Sequence, residues 1–175
     1  TLSSSSAASD VYKRQLERCG SRQPCLAHAV PLQHAIEEQA RVRPGAKALV
    51  FEAHSLSYGE LNAQANRLAH RLVALGVRPE SRVGIAMSRS VEMVVGLLAI
   101  LKAGGAYVPL DPDYPADRLA HMVEDSGIAL VLTQAAVRTR IPGADRLQIL
   151  EVDTLDLSAE SLSLIHISEP TRQAE

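Results

Sequence analysis

The chain has 175 residues, of which 46% are hydrophobic and 22% charged, and its mean hydropathy is close to zero. This composition is typical of one soluble globular domain and excludes a disordered tail or a fibrous repeat. Eighteen basic against twenty acidic residues give a formal charge of −2, so no excess of positive charge is present to bind nucleic acid or an anionic membrane. The longest apolar run, Met93–Leu101, is shorter than the roughly 20 residues that span a bilayer. We expect a cytoplasmic protein with neither nucleic acid nor membrane as a partner.

Both ends of the chain lack the apolar periodicity of its middle. Ser5–Gln15 reads SSAASDVYKRQ and Leu162–Arg172 reads LSLIHISEPTR. The two strings resemble conceptual translations of the two transposase-type adapters of a sequencing library, with Gln173–Glu175 where an index would be read. We therefore predict that residues 1–15 and 162–175 are adapter-derived tails and exclude them from the fold. Natural Ser-rich tails are the alternative.

Residues 16–31 are polar and irregular, and we expect a linker there. They contain both cysteines, Cys19 and Cys25. This spacing fits neither a C-x-x-C redox pair nor half of a zinc site, and no second cysteine pair is present to complete one. Two free thiols are the prediction.

The first regular elements are a helix and two short strands. Apolar residues at helical spacing begin at Leu32 and predict a helix that ends before Pro44. Ala46–Phe51 is a predicted strand, and Leu56 starts a second, brief one after a polar turn over Glu52–Ser55.

A long helix is predicted to follow. Ser57 and Glu60 form a capping box, in which each side chain can bond the backbone amide of the other residue. Gly76 can adopt the left-handed backbone conformation that ends this helix at its C-terminus. Between them lies one apolar stripe, which needs a sheet to lie on; its members are Leu61, Ala65, Leu68, Leu72 and Leu75.

Strands and helices then alternate. Arg82–Met87 predicts a strand, followed by a helix that Ser88 or Ser90 caps and that ends at Ala103. This helix is apolar almost all round, so we expect it to be buried on more than one side. The other predicted elements are a stop at Gly104 and Gly105 and strands at Ala106–Val108, Ile128–Leu132 and Leu147–Val152.

Three prolines punctuate the segment PLDPDYP at Pro109, Pro112 and Pro115. Their fixed φ angles predict an extended, stiff connector. Pro115 suits the first turn of a further helix, which Gly127 ends. The alternation of helices and strands with short loops predicts an α/β fold of βαβ units on a parallel sheet.

Phosphate-binding and nucleophile motifs are missing from the chain. It contains neither G-x-x-x-x-G-K-[ST] nor G-x-G-x-x-G, and Gly104 and Gly105 follow a helix, where their amides cannot cradle a phosphate. No G-x-S-x-G elbow is present. Loop and cap roles are therefore expected for the four serines considered as nucleophiles, which are Ser81, Ser88, Ser90 and Ser126.

Candidate metal ligands are scattered. Four of the six histidines lie in the predicted domain portion and show no i, i+4 pairing; these four are His34, His54, His70 and His121. Asp111 and Asp113 flank a proline, and we expect Asp111 to satisfy loop amides rather than a metal. The residues alone thus predict no catalytic, cofactor-binding or metal-binding residue.

Two segments carry a family resemblance. LSYGEL (Leu56–Leu61) and LKAGGAYVPLDPDYP (Leu101–Pro115) resemble, in order and spacing, the first two core motifs of nonribosomal peptide synthetase adenylation domains. The resemblance extends over Leu32–Thr133. VPLDPDYP also distinguishes this group from acyl-CoA synthetases and luciferases.

The resemblance implies a two-part, AMP-forming ligase. Such an enzyme activates an amino acid with Mg-ATP as an aminoacyl-adenylate, releases pyrophosphate and loads the phosphopantetheine thiol of a carrier domain, beside a condensation domain. The family's phosphate loop, amino-acid pocket, ribose-binding Asp and catalytic Lys have no matching positions here. The resemblance implies a structural role, and no catalytic one, for the residues that match the two motifs: Tyr58, Glu60 and Lys102–Pro115. We therefore expect residues 32–161 to be the incomplete N-terminal portion of an adenylation domain, inactive by itself and with an exposed sheet edge.

Two other classes stay open on the sequence. A stand-alone AMP-forming ligase for an aryl or fatty acid would share this fold. A non-enzymatic α/β interaction domain would form a stable monomer.

Overall fold

A computed structural model describes residues 30–155 and shows the predicted α/β fold. The predicted tails and both cysteines lie outside these residues. The helices and strands, in chain order, are α1 (Leu32–Val42), β1 (Lys47–Phe51), β2 (His54–Ser57), α2 (Tyr58–Ala74), β3 (Arg82–Ala86), α3 (Val91–Lys102), β4 (Ala106–Pro109), α4 (Ala116–Ser126), β5 (Leu130–Thr133) and β6 (Gln148–Glu151), with 3-10 turns at Arg138–Arg140 and Ala144–Arg146. No helix in this part of the chain is long and apolar enough to cross a membrane.

Four strands form a parallel sheet in the order β4-β3-β5-β6. Gly84 of β3 lies opposite Val108 of β4 and Val131 of β5. The chain therefore runs from β3 to β4 on one side of β3 and then crosses over to β5 on the other side. The strands β1 and β2 form a separate antiparallel hairpin.

One face of the parallel sheet, here called the thick face, is covered by two layers of helix. Val83 and Ile85 of β3 and Leu132 of β5 belong to the same buried cluster as α2 and α3. The apolar stripe of α2 packs mainly on α3, with the hairpin beside it. Our expectation that this stripe lies on a sheet holds only for its contact with the β1–β2 hairpin. Its main partner is α3, which presents apolar side chains on both of its sides.

The opposite face, here called the thin face, is covered by α4 and the segment between β5 and β6. Its buried cluster includes Ala86, Val131, Leu119 and Ile141. Because successive residues of a strand point to opposite faces, β3 and β5 contribute alternate side chains to the two clusters.

The helix ends follow the local sequence signals. The Glu60 amide donates to Ser57 Oγ at 3.3 Å, and the Ser57 amide donates to Glu60 Oε2 at 2.8 Å, so the predicted capping box is confirmed. Ser90, rather than Ser88, caps α3 by accepting from the Met93 amide at 3.2 Å. Gly76 ends α2 with a φ of 95°, as predicted.

Other boundaries differ from the predictions by a residue or two. β2 starts at His54 because the turn after β1 is tighter than expected, with Glu52 at a φ of 52°. Pro115 precedes α4 as its cap residue rather than lying in its first turn.

The strand β4 is an edge of the sheet. The Ala106 amide donates to the Ser81 carbonyl at 2.8 Å, and the Leu110 amide donates to the Ile85 carbonyl at 2.9 Å. Both bonds point toward β3, into the sheet. Successive backbone nitrogens of a strand point to opposite sides, so the nitrogen of Pro109 points away from β3. Its missing N–H therefore costs no hydrogen bond within the sheet.

Candidate functional site

The carboxyl ends of β3, β4 and β5 meet at one edge of the parallel sheet. In open α/β sheets, ligands bind outside this edge, where the chain departs to opposite sides of a strand. Here that switch point lies between β3 and β5. The loops that follow these strands are therefore the place where a ligand site is expected.

The switch point is filled by a side chain of the protein itself. Gln134 follows β5, and its Oε1 accepts from the Ser88 amide at 3.0 Å while its Nε2 donates to Ser90 Oγ at 3.2 Å. Beneath it, the buried Thr133 hydroxyl donates to the Ala86 carbonyl at 2.8 Å. These bonds join the ends of β3 and β5, where a ligand would otherwise enter.

Gln134 was not among the residues singled out from the sequence. A lone glutamine after a strand carries no motif, and its partners lie 46 and 44 residues earlier in the chain. The sequence feature that could have indicated its role is its position, as a polar residue directly after an apolar strand at the carboxyl edge of a parallel sheet.

A cleft of about 600 Å³ lies beside the switch point, over β4 and α3. Its floor is apolar and includes Met87, Met93 and Leu97. Arg89 and the Asp111–Asp113 loop form its polar rim. Such a surface can hold an apolar group, with charges at its mouth to orient it.

The two aspartates of the rim are engaged within the protein. Asp111 Oδ1 accepts from the Asp113 amide at 3.0 Å, which confirms that Asp111 satisfies a loop amide. Asp113 Oδ1 accepts from Arg140 Nη1 at 2.9 Å. These carboxylates hold the loop in shape, and no nucleophile–base pair is formed by the residues that line the cleft.

The same loop corrects the prediction of an extended connector. The Tyr114 amide donates to the Asp111 carbonyl at 3.0 Å, so the chain makes a β-turn with Pro112 at its second position. The fixed φ of proline suits that position as well as it suits an extended chain. The hydrogen bonds of Asp111 select the turn.

Of the four candidate serines, Ser81, Ser88 and Ser90 take the cap and loop roles that were expected, whereas Ser126 is the last residue of α4. Ser81 Oγ accepts from the Arg78 amide at 2.9 Å. Ser126 Oγ donates to the Met122 carbonyl at 2.5 Å. Ser88 is exposed and contributes its amide to Gln134.

The histidines are not brought together. Within residues 30–155, no group of three His, Cys, Asp or Glu side chains is placed to hold a metal ion. Gly104 ends α3 with a φ of 81°, and the Gly105 amide donates back to the Ile100 carbonyl at 2.9 Å. These amides serve the helix end and do not form a cradle for phosphate.

Lys102, in the second motif, is the buried charge of the described region. Its side chain is 1% exposed, and its Nζ donates to Glu37 Oε1 of α1. Burial lowers the pKa of Lys102, and the Glu37 carboxylate opposes that shift. The pair joins the end of α3 to α1.

Comparison with known proteins decides the family. A profile described as "AMP-binding enzyme" matches residues 36–174. The chain belongs to this family. The match includes most of residues 162–175, whose adapter origin stays a prediction.

The relatives are peptide synthetases. The chain is 47% identical over 145 residues to the dimodular nonribosomal peptide synthase of Bacillus subtilis (strain 168), covering 83% of this chain and 6% of that protein. It is 53% identical over 104 residues to bacitracin synthase 3 of Bacillus licheniformis, covering 59% of this chain and 2% of that protein. The chain thus spans a small part of each relative.

A solved structure shows the same fold. The crystal structure of the nonribosomal peptide synthetase FmoA3 with alpha-methyl-L-serine-AMP bound superposes with a TM-score of 0.73 at 36% identity. The alignment covers 78% of this chain and 15% of that one. The described residues form the N-terminal part of an adenylation fold, as predicted from the sequence.

Proposed function

We propose that this chain is the N-terminal scaffold of an amino-acid-activating adenylation domain in a nonribosomal peptide synthetase. The observation that carries the proposal is the 47% identity over 145 residues to the Bacillus subtilis dimodular synthase. The complete domain would form an aminoacyl-adenylate and pyrophosphate from ATP and an amino acid, and would then load the phosphopantetheine thiol of a carrier domain. ATP, Mg²⁺, carrier and condensation domains would be its partners, in the cytoplasm.

The residues described here do not fit a nucleotide or its metal ion. Gln134 fills the switch point of the sheet, and the Gly104–Gly105 amides lie at a helix C-terminus, where the helix dipole repels phosphate. We therefore assign no step of adenylation to residues 30–155. Their role is to present the sheet and the apolar cleft to the rest of the domain, and we expect the 175-residue chain alone to be inactive.

A chimera tests the proposal. Residues 36–155 of this chain would replace the matching segment in the adenylation domain of the Bacillus subtilis synthase. We expect the chimera to catalyse ATP–pyrophosphate exchange that depends on the host domain's own amino acid, because the scaffold holds the site without contacting it. The same chimera with Gly84→Leu, which overpacks β3, is the control and should lose exchange through misfolding.

The other outcomes would contradict parts of the proposal. A folded chimera without exchange would show that this segment is not interchangeable with a peptide-synthetase scaffold. Amino-acid-dependent exchange by the 175-residue chain alone would show that the inactivity we expect is wrong.

A further inference from the structure

Helix α1 docks on the rest of the described region with little apolar burial. None of its residues is buried. Leu32 and Val42 are 61% and 56% exposed, and Ile36 is the one partly buried side chain of α1 that packs on the main cluster. An isolated helix of 11 residues is unstable in water. Within residues 30–155, apolar packing alone therefore contributes little to holding α1 in place.

The line of contact between α1 and α2 is also open. A groove of about 430 Å³ lies between them, lined by Glu37 and Arg41 of α1 and by Gly59 and Asn62 of α2. The buried Asn62 Oδ1 has no hydrogen-bond partner. Close packing would have closed the groove and paired this oxygen.

Among the described residues, the Glu37–Lys102 pair is a strong polar contact of α1 with the rest of the fold. Lys102 ends α3, whose neighbouring Ile100 and Ala103 are fully buried, so the lysine cannot follow α1 if that helix moves away. The Glu37 side chain is 17% exposed, and a charge pair so shielded from water interacts strongly. Removing either partner leaves the other charge poorly compensated.

We propose that the Glu37–Lys102 pair is a latch, so that α1 opens as a unit while α2, α3 and the parallel sheet stay folded. The proposal does not depend on the adenylation activity. In the latched state, α1 covers the Lys102 side chain. In the open state, water reaches the ammonium group and the α1-facing surface of α2.

Hydrogen exchange measured by mass spectrometry on the 175-residue chain tests the latch. In the unmodified chain, we expect the amides of α1 to exchange faster than those of α3. Lys102→Met, which keeps the length of the side chain, should speed exchange in α1 by about tenfold or more and leave α3 unchanged. Glu37→Gln is the milder second variant and should act in the same direction.

Two further variants separate the latch from a general loss of stability. Glu38→Gln breaks the exposed Glu38–Arg41 pair on the same helix and should leave the exchange of α1 unchanged within about twofold. The double variant Glu37→Leu/Lys102→Met replaces the pair with apolar side chains and should restore protection in α1. Equal acceleration in α1 and α3, or no acceleration in α1 with either single variant, would overturn the proposal.

Discussion

The two faces of the parallel sheet are covered to different depths. On the thick face, six residues of α3 are buried, five of them small or apolar and the sixth Lys102. On the thin face, Leu119 is the one buried residue of α4. The same four strands thus support a double helical layer on one side and a single amphipathic helix on the other. We therefore expect the stability of this region to depend more on the packing of the thick face than on that of the thin face.

The largest effect should come from matched leucine truncations on the two faces. Leu68→Ala, between α2 and α3, should lower the free energy of unfolding by about 3–5 kcal/mol, because its fully buried site cannot collapse. Leu119→Ala should cost about 2–3 kcal/mol, because the single layer of the thin face can relax. Urea unfolding of both variants checks this order. A larger cost at Leu119 would contradict the comparison.

Glycine-to-alanine changes should have opposite signs on the two faces. A Cβ at Gly84 would lie 2.8 Å from Ile128 Cδ1 and 3.0 Å from Val131 Cγ2 of the thin face, so Gly84→Ala should cost about 1–3 kcal/mol. A Cβ at Gly96 of α3 would meet its nearest atoms at 3.4 Å. Gly96→Ala should therefore stabilise by up to about 1 kcal/mol through helix propensity.

Thermal unfolding measures both changes. A raised midpoint for Gly84→Ala would show that the thin face has spare room. A lowered midpoint for Gly96→Ala would show that the packing between α3 and the sheet is too tight for a methyl group.

A smaller effect is expected at the helix caps. Ser90 caps α3, whereas α4 begins after Pro115 with no side-chain cap. Ser90→Ala should cost about 1–2 kcal/mol, because it removes the acceptor of both the Met93 amide and Gln134 Nε2. Ser126→Ala is the matched control, because its hydroxyl bonds backward within α4 and should change the free energy of unfolding by less than about 0.5 kcal/mol. Equal losses for the two variants in urea unfolding would argue against a cap at Ser90.

The smallest effects should come from the exposed ion pairs near the thin face. Arg138 pairs with Glu151 and Arg140 with Asp113, and both arginine side chains are 58% exposed. Arg138→Ala and Arg140→Ala should each change stability by less than about 1 kcal/mol, and the change should shrink in high salt. Unfolding at two salt concentrations tests this. A large loss for Arg140→Ala that salt does not reduce would mean that the Asp111–Asp113 loop depends on this arginine.

The features that the sequence predicted are those that neighbouring residues determine. The capping box at Ser57 and Glu60 needs residues three apart, and Gly76 ends its helix through its own backbone freedom. The all-round apolar character of α3 correctly indicated burial on several sides. For such features, composition and spacing carry the whole physical cause.

The predictions failed where distant or competing contacts decide. The apolar stripe of α2 is equally suited to a sheet or a helix, and only the position of α3 settles which it meets. The PLDPDYP segment has φ angles that fit both an extended chain and a turn, and the bonds of Asp111 select the turn. Gln134 fills the switch point through partners far away along the chain, which no local pattern encodes.

The outward nitrogen of Pro109 has a consequence for assembly. An exposed sheet edge is a template on which a second chain can add a strand. Of the two outward positions of β4, only Tyr107 offers an N–H. An incoming strand would therefore meet one backbone donor on β4 instead of two, so Pro109 disfavours edge-to-edge pairing of a second chain at this strand.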